Sequence, residues 1–476
     1  MSLYTGGLIG AALVLIELCG IAAALSAVLH SRTPQGSIAW GISLIAIPVI
    51  ALPLWLVLGR SKFNGMVNAR RANDNRLEEI SCQVRPWADR FVVDVPEEHG
   101  NARVLTELTH LPFLRSNQAR LLVDGDSTFE AMFAAIDEAT RFVVAEFFIV
   151  NDDQLGRRFQ QTLIAAARRG CQVYLLFDEV GSQRITRSYL GELREAGVHV
   201  SGMKAARGLV NRFQINFRNH RKIVVVDGHT ALVGGHNVGD EYVHRHPRLT
   251  PWRDTHLQIE GPAALAAQLA FAEDWLWATG SLPQLDWKPR ESPGDEIMFV
   301  FPSGPDDQFE TCGLFFTHLI NAARDRLWIA SPYFVPDQGI VTALQLAAMR
   351  GVDVRIMIPG LADKWLVKRA AMAYVADVAA SGVRMYEYDK GFLHQKVAII
   401  DDQVSVIGTA NFDNRSFRLN FEISVVTIDE AFQQQVAGML QDDFENCTLL
   451  DPAELANRSL FFHASSRVAR LFAPVL

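Results

Sequence analysis

His220-Arg221-Lys222-Ile223-Val224-Val225-Val226-Asp227-Gly228 and His394-Gln395-Lys396-Val397-Ala398-Ile399-Ile400-Asp401-Asp402 are two copies of one pattern, H-x-K-x(4)-D, in a chain of 476 residues. Each is followed, at the same spacing, by a second match: Gly234-Gly235-His236-Asn237 after the first and Gly408-Thr409-Ala410-Asn411 after the second. Histidine and lysine two apart on an extended segment project from one face. The apolar run behind them predicts a strand driven into the core. The turn at Asp227-Gly228 or Asp401-Asp402 then reverses the chain, and the next strand returns a small glycine and an asparagine beside the histidine.

Outward from these motifs the chain repeats itself. Arg141-Phe-Val-Val-Ala-Glu-Phe-Phe-Ile-Val150 parallels Arg326-Leu-Trp-Ile-Ala-Ser-Pro-Tyr-Phe-Val335, each a buried strand in pattern. Ala166-Ala-Arg-Arg-Gly170 and the apolar Val173–Phe177 parallel Ala347-Ala-Met-Arg-Gly351 and Val354–Ile358, each a helix, a glycine C-cap and a strand. Ala196-Gly197-Val198 and Ser381-Gly382-Val383 follow in the same order. Alternating helices and short apolar strands give an α/β class. The expected architecture is two homologous α/β/α halves, residues 105–290 and 291–450, joined near Ser292-Pro293-Gly294. Packed about a pseudo-twofold axis, they bring both motifs to one cleft.

Such a cleft suits phosphoryl chemistry. One neutral imidazole attacks phosphorus, and a second, protonated, gives its proton to the leaving alkoxide. Lys222 and Lys396, with Asn237 and Asn411, bind the non-bridging oxygens and stabilise transition-state charge. His220, Lys222, Asp227, His394, Lys396 and Asp401 form the expected catalytic set. The reading requires neither a metal nor a cofactor. His229, His236, His244 and His246 have no counterpart in the other half and are left to the surface or to supporting positions.

The N-terminus is of another kind. Gly6–Leu29 is apolar or small apart from Glu17, and Ile38–Leu58 is apolar again after a short polar link. Each run is long enough to cross a ~30 Å hydrocarbon core as a helix, which takes about 20 residues. The expectation is a transmembrane hairpin over residues 1–60, with Glu17 neutral and packed against the second helix, followed by a connector over 61–104. Arg60, Lys62, Arg70 and Arg71 outnumber Arg32 in the link, which puts the large C-terminal part on the cytoplasmic side. A net charge of −8 gives no basic footprint for nucleic acid. Five scattered cysteines without a C-x-x-C pair give no disulfide framework.

The duplicated motif resembles the signature of the phospholipase D superfamily. Gly235-His-Asn-Val-Gly-Asp-Glu-Tyr242, Trp252-Arg-Asp-Thr-His256, Ser331-Pro-Tyr-Phe-Val-Pro336 and Gly408-Thr-Ala-Asn-Phe-Asp-Asn-Arg-Ser-Phe-Arg-Leu-Asn-Phe-Glu422 are similar to bacterial cardiolipin synthases. The superfamily usually has Gly-Ser after the motif, where this chain has Gly-Gly and Gly-Thr. The resemblance implies a multi-pass protein of the bacterial inner membrane that acts on phospholipids. A phosphatidyl group would pass from phosphatidylglycerol to the enzyme, releasing glycerol, and on to the headgroup hydroxyl of a second phospholipid. It also implies His220 as nucleophile and His394 as general acid. Each histidine needs an orienting acceptor at its other ring nitrogen. Asp254 and Glu422, each opening an apolar strand after its own motif, are the candidates, with Glu241 competing for the first role. Basic residues before the first motif (Lys204, Arg207, Arg212, Arg218, Arg221) suggest a face for anionic headgroups. Residues 451–476 read as an amphipathic segment, either interfacial or docked on the body. Hydrolytic phospholipase D, a nuclease using the same motifs and a non-catalytic scaffold are the alternatives.

Overall fold

Proline decides how the apolar N-terminus folds. The computed structural model describes residues 2–31, 33–59, 89–95, 102–203 and 217–475. Arg32, Arg60, Lys62, Arg70 and Arg71, most of the 61–104 connector, and Lys204, Arg207 and Arg212 lie outside the described residues. The first apolar run is one helix, α1 (Ser2–His30), and its stretch Gly10–His30 is long and apolar enough to cross a membrane. The second run is not one helix but two, α2 (Pro34–Ala46) and α3 (Pro48–Leu58), broken at Ile47. Pro48 has no N–H to continue the ladder, and its ring disfavours helical geometry at the residue before it.

Small residues let these helices approach. A β-carbon on Gly20 would stand 2.6 Å from the Leu44 carbonyl oxygen, so only glycine fits there. Ala23, Ala24 and Ala27 bury against Leu44 and Ala51, the small-residue packing that membrane helices use where apolar burial gives no drive. The larger side chains, among them Leu13, Leu15, Leu18 and Leu25, point outward. Glu17 is exposed on α1 and is not packed against the second helix.

Among the described residues, the rest of the chain is organised by a mixed sheet of sixteen strands, fourteen of which form two repeated paths. The first half supplies β1 (Leu114–Val123), β2 (Phe142–Phe147), β3 (Gln172–Asp178), β4 (His199–Met203), β5 (Ile223–Val226), β6 (Thr230–Gly234) and β7 (Thr255–Glu260). The second supplies β8 (Glu296–Ser303), β9 (Arg326–Ala330), β10 (Asp353–Pro359), β11 (Arg384–Tyr388), β12 (Val397–Ile400), β13 (Val404–Gly408) and β14 (Asn420–Ile428). Their spatial order is β1-β7-β6-β5-β2-β3-β4 in one half and β8-β14-β13-β12-β9-β10-β11 in the other, the same path taken twice. The paths meet where β1 pairs antiparallel with β8, Leu114 opposite Met298, as a pseudo-twofold axis through that joint requires.

Alternation along the strands fixes the layers. Val143, Ala145 and Phe147 of β2 enter one core with Phe129, Met132, Phe159 and Leu163 from the helices Asp124–Asp137 and Gln154–Arg168. Glu146, between them, faces the other way, toward the helix Ala264–Thr279 that carries Asp274. In the second half Leu327 and Ile329 of β9 pack with Phe315 and Leu344, while Trp328 turns to Phe444 of the helix Glu430–Phe444, ring centroids 5.4 Å apart.

The motif aspartates have a structural task here. Asp227 sits at φ +53° at the end of β5. Its carboxylate accepts from the backbone N–H of Thr140 (2.9 Å), Arg141 (2.8 Å) and Phe142 (2.9 Å) and from the Thr140 hydroxyl (2.6 Å). Asp401, at φ +51°, does the same for Arg324, Asp325 and Arg326 ahead of β9. An extended chain rises about 3.3 Å per residue, which puts each carboxylate roughly 20 Å along the strand from its histidine. Asp227 and Asp401 therefore leave the catalytic set: they clamp the far end of the motif strand to its neighbour. We expect Asp227→Ala and Asp401→Ala each to lower stability by about 1–3 kcal/mol, the cost of unmaking hydrogen bonds to a charged acceptor, read as a shifted unfolding midpoint. Loss of turnover with an unchanged midpoint would contradict a clamp.

Candidate active site

Two chain crossings build the site. The backbone N–H of His220, just before β5, donates to the carbonyl of Phe421 (2.9 Å), which puts His220 beside Glu422 on β14. In the mirrored crossing Phe392–Leu393 pairs parallel with Trp252–Arg253, and His394 N–H donates to the Arg253 carbonyl (2.7 Å), beside Asp254. His220 Nδ1 lies 2.9 and 3.0 Å from the two Glu422 oxygens, and His394 Nδ1 lies 2.6 Å from Asp254 Oδ2. Both carboxylates expected to orient a histidine lie against one, but each stands beside the histidine of the other half. The strand that follows a motif in sequence starts beside the opposite motif because the halves meet head to head. Glu241 does not compete: its carboxylate accepts from Asn151 Nδ2 at 3.2 and 3.4 Å.

The two pairs are seated differently. Glu422 also accepts from the hydroxyls of Thr409 (2.6 Å) and Ser416 (2.7 Å) and from Asn420 Nδ2 (3.1 Å). Asp254 accepts from the backbone N–H of Thr255 (2.9 Å) and, more weakly, from the Trp252 indole (3.4 Å). Gly235 occupies the position that Thr409 holds in the other half, and a β-carbon there would run into the Asp254 carboxylate. The sequence reading gives Thr409, Ser416, Asn420 and Gly235 no role. Their signal was available in the departure from Gly-Ser after each motif and in the Arg-Ser-Phe-Arg-Leu-Asn-Phe-Glu run.

Lys222 is fully buried and donates to the His220 carbonyl (2.6 Å), with its ammonium 5.7 Å from the Phe148 ring centre. Phe148 meets the His220 ring edge-on at 5.2 Å. Lys396 Nζ stands 2.8 Å from His394 Nδ1 and donates to the His394 carbonyl. Asn237 accepts from Ile149 N–H (3.0 Å) and donates to the Tyr242 hydroxyl (2.9 Å). Asn411 is buried with its Oδ1 unpartnered, so of the two asparagines it keeps a side-chain group in reserve.

Burial controls the protonation states. It pushes the His220 imidazole down to about 4, against the pull of Glu422 and with help from Lys222. It pushes His394 to about 3, Lys396 adding to the effect and Asp254 opposing it. Burial lowers Lys222 to about 7 and Lys396 to about 8, with Glu422 and Asp254 respectively resisting. For Asp254 burial acts upward but is overcome, first by Lys396 and then by His394, so the carboxyl stays well below its usual range. Glu422 is likewise held low by His220 against its own burial. At neutral pH both imidazoles are thus neutral, with their Nδ1–H groups pointing at carboxylates. That leaves both Nε2 lone pairs for chemistry.

Other expected roles move. Arg221 is buried, with Nη1 on Asp274 (2.7 Å) and Nε on the Glu422 carbonyl (3.1 Å), so it braces the site and is not offered to headgroups. His236 is buried against His256, ring centroids 5.5 Å apart, while His244 and His246 accept backbone N–H groups at Nδ1. Among the described residues no group of three or more His, Cys, Asp and Glu is arranged to hold a metal ion.

The family described as cardiolipin synthase, PLD-like domain, matches residues 132–259 and 316–447, one segment in each half. Cardiolipin synthase A of Pseudomonas aeruginosa (strain LESB58) is 45% identical over 471 residues, covering 98% of this chain and 96% of its own length. Cardiolipin synthase A of Pseudomonas fluorescens is 44% identical over 480 residues, covering 100% of both. The crystal structure of phosphatidylserine synthase from Haemophilus influenzae Rd KW20 superposes with a TM-score of 0.60 at 16% identity, covering 79% of this chain and 99% of that one, and shares the fold.

The seat of Asp254 gives a direct test. Gly235→Ala displaces a carboxylate bonded to His394, and a reacting group misplaced by about 1 Å costs roughly a hundredfold in rate. We expect that loss with a near-native circular dichroism spectrum; full activity in this variant would mean that Asp254 does not set the position of His394.

Proposed function

The chain belongs to the cardiolipin synthase family built on the phospholipase D-like domain, and on that premise we propose that it transfers a phosphatidyl group from phosphatidylglycerol to the headgroup hydroxyl of a second phospholipid. The observation that carries the proposal is the pair of crossed His–carboxylate contacts in one buried site. With the phosphodiester bound, His394 takes up a proton from solvent at Nε2; His220 Nε2 then attacks phosphorus, the bond from phosphorus to the glycerol oxygen breaks, and His394 delivers that proton to the oxygen, releasing glycerol. In the second step the incoming hydroxyl passes its proton to His394 as its oxygen bonds to phosphorus and the N–P bond breaks. Carboxylates on both Nδ1–H groups support the two steps, since each steadies the imidazolium or phosphohistidine formed at Nε2. The Lys222 and Lys396 ammonium groups neutralise the non-bridging oxygens, and the Asn411 Nδ2–H group donates to one of them.

The protein is read as an inner-membrane enzyme held by residues 1–60, with both halves on the cytoplasmic side. The apolar outward faces of α1 support the anchor.

Turnover of phosphatidylglycerol vesicles should yield one glycerol per cardiolipin. His220→Ala and His394→Ala should each lower the rate by about a thousandfold or more, the scale of a lost acid, base or nucleophile. Mass spectrometry should find the trapped phosphatidyl group on His220. Phosphatidic acid without cardiolipin would replace transfer with hydrolysis.

A second expectation concerns protons. At pH 6 both lysines, at about 7 and about 8, are already charged in the free enzyme. Above pH 8 they are not, and an anionic phosphodiester that favours the ammonium form must draw protons in. Affinity for a non-reacting phosphodiester analogue should therefore fall as pH rises through 7–8, by up to about tenfold per unit per lysine. Calorimetry in buffers of different ionisation enthalpy should register proton uptake at pH 8.5, and equal heats in both buffers would contradict it.

A further inference from the structure

The C-terminal helix Leu460–Arg470 has two faces, and only one of them is accounted for by the fold. Ser459 caps it, accepting from Phe462 N–H at 3.2 Å. Its inner face turns Ser466 and Ala469 into the body, with Ala473 buried one turn further on. That face packs on the helix Trp365–Ala379. The Arg470 guanidinium lies over the Tyr374 ring at 4.2 Å and pairs with Asp377 at 2.5 Å. Arg369 lies between Phe462 (4.7 Å) and Trp365 (5.6 Å).

The outer face is apolar and bare. At 100° per residue Leu460, Ala464, Val468 and Phe461 fall within one stripe about 100° wide, and Leu471 and Phe472 follow just past the helix end. Leu460 is 86% exposed, Phe461 75% and Leu471 77%, with Val468 and Phe472 also exposed. Trp365, 61% exposed, continues the surface from the neighbouring helix. Arg458, Arg467 and Lys364, all exposed, border it. A contiguous patch of this kind is not left to water in a stable monomer. Large apolar side chains with a tryptophan beside them and a cationic border match the boundary between lipid headgroups and acyl chains.

We propose that this face is a second membrane contact, lying in the headgroup–acyl boundary of an anionic leaflet, separate from the N-terminal helices. Charge decides in favour of lipid: the cationic rim meets an anionic leaflet favourably, whereas a second copy would bring the same arginines face to face. The surface is also tied to the active site. The chain beyond the helix, Ala473–Val475, packs against Asn414–Arg418, the short helix whose Ser416 hydroxyl holds Glu422.

The test is photo-crosslinking of the full chain in nanodiscs, with p-benzoylphenylalanine at position 461 or 468, at position 15 on α1 as the membrane reference and at position 187 as background. Intact mass then reads any lipid adduct, whether or not the protein turns over. We expect lipid adducts at 461 and 468 as well as at 15, and roughly fivefold more at 461 and 468 when phosphatidylglycerol accompanies phosphatidylcholine, the effect of about one cation at an anionic surface. Adducts at 15 with only background at 461 and 468 would overturn the proposal and leave the N-terminal anchor standing. So would crosslinks from 461 or 468 to a second chain or to α1–α3.

Discussion

Everything in the active site depends on two buried contacts between an imidazole and a carboxylate, each made across the joint between the halves. A carboxylate withdrawn from water is costly unless its oxygens are fully engaged. Glu422 meets that condition with His220, Thr409, Ser416 and Asn420, and Asp254 with His394, Thr255 and Trp252. The β1–β8 pairing, the head-to-head meeting of the halves and the crossing of His220 and His394 to foreign strands are the geometry that these contacts need. Neither half contains a complete pair alone.

The two seats are complementary in size. Where the carboxylate is glutamate, the adjoining motif residue is Thr409, whose hydroxyl adds a hydrogen bond. Where it is the shorter aspartate, that residue is Gly235, and the space of its missing side chain is taken by the carboxylate itself. Repetition of a pattern does not make its copies interchangeable. The same divergence appears beneath the histidines, where Arg221 pairs with Asp274 on one side while Gln395 and Arg253 share Asp443 on the other.

Much of this was legible in the sequence, because it rests on local pattern. Apolar strand runs, glycine C-caps and two matched motifs sufficed for two α/β halves and for singling out His220, Lys222, His394 and Lys396, and the histidines' need of a partner at the second ring nitrogen pointed to Asp254 and Glu422. What escaped is what tertiary structure decides. Which carboxylate meets which histidine depends on the joint, not on nearness in sequence. Asp227 and Asp401 share a motif with the histidines, yet a strand's rise carries them away from the chemistry. Arg221 looked like a surface cation because its partner, Asp274, is far along the chain. The break at Ile47 was readable from Pro48, but the apolar run around it masked a local rule with a global one.

The crossed contacts also bear on ancestry. A single half, free in solution, could complete a His–carboxylate pair only by meeting a second copy across the same axis, as an isologous dimer. Such a site exists only at concentrations where the dimer does. Joining the two copies through residues 280–295 makes the encounter intramolecular and independent of dilution. It also frees each copy from having to be its own partner. The threonine of one half and the glycine of the other are changes that a symmetric dimer, bound to place the same residue in both seats, had no means to make.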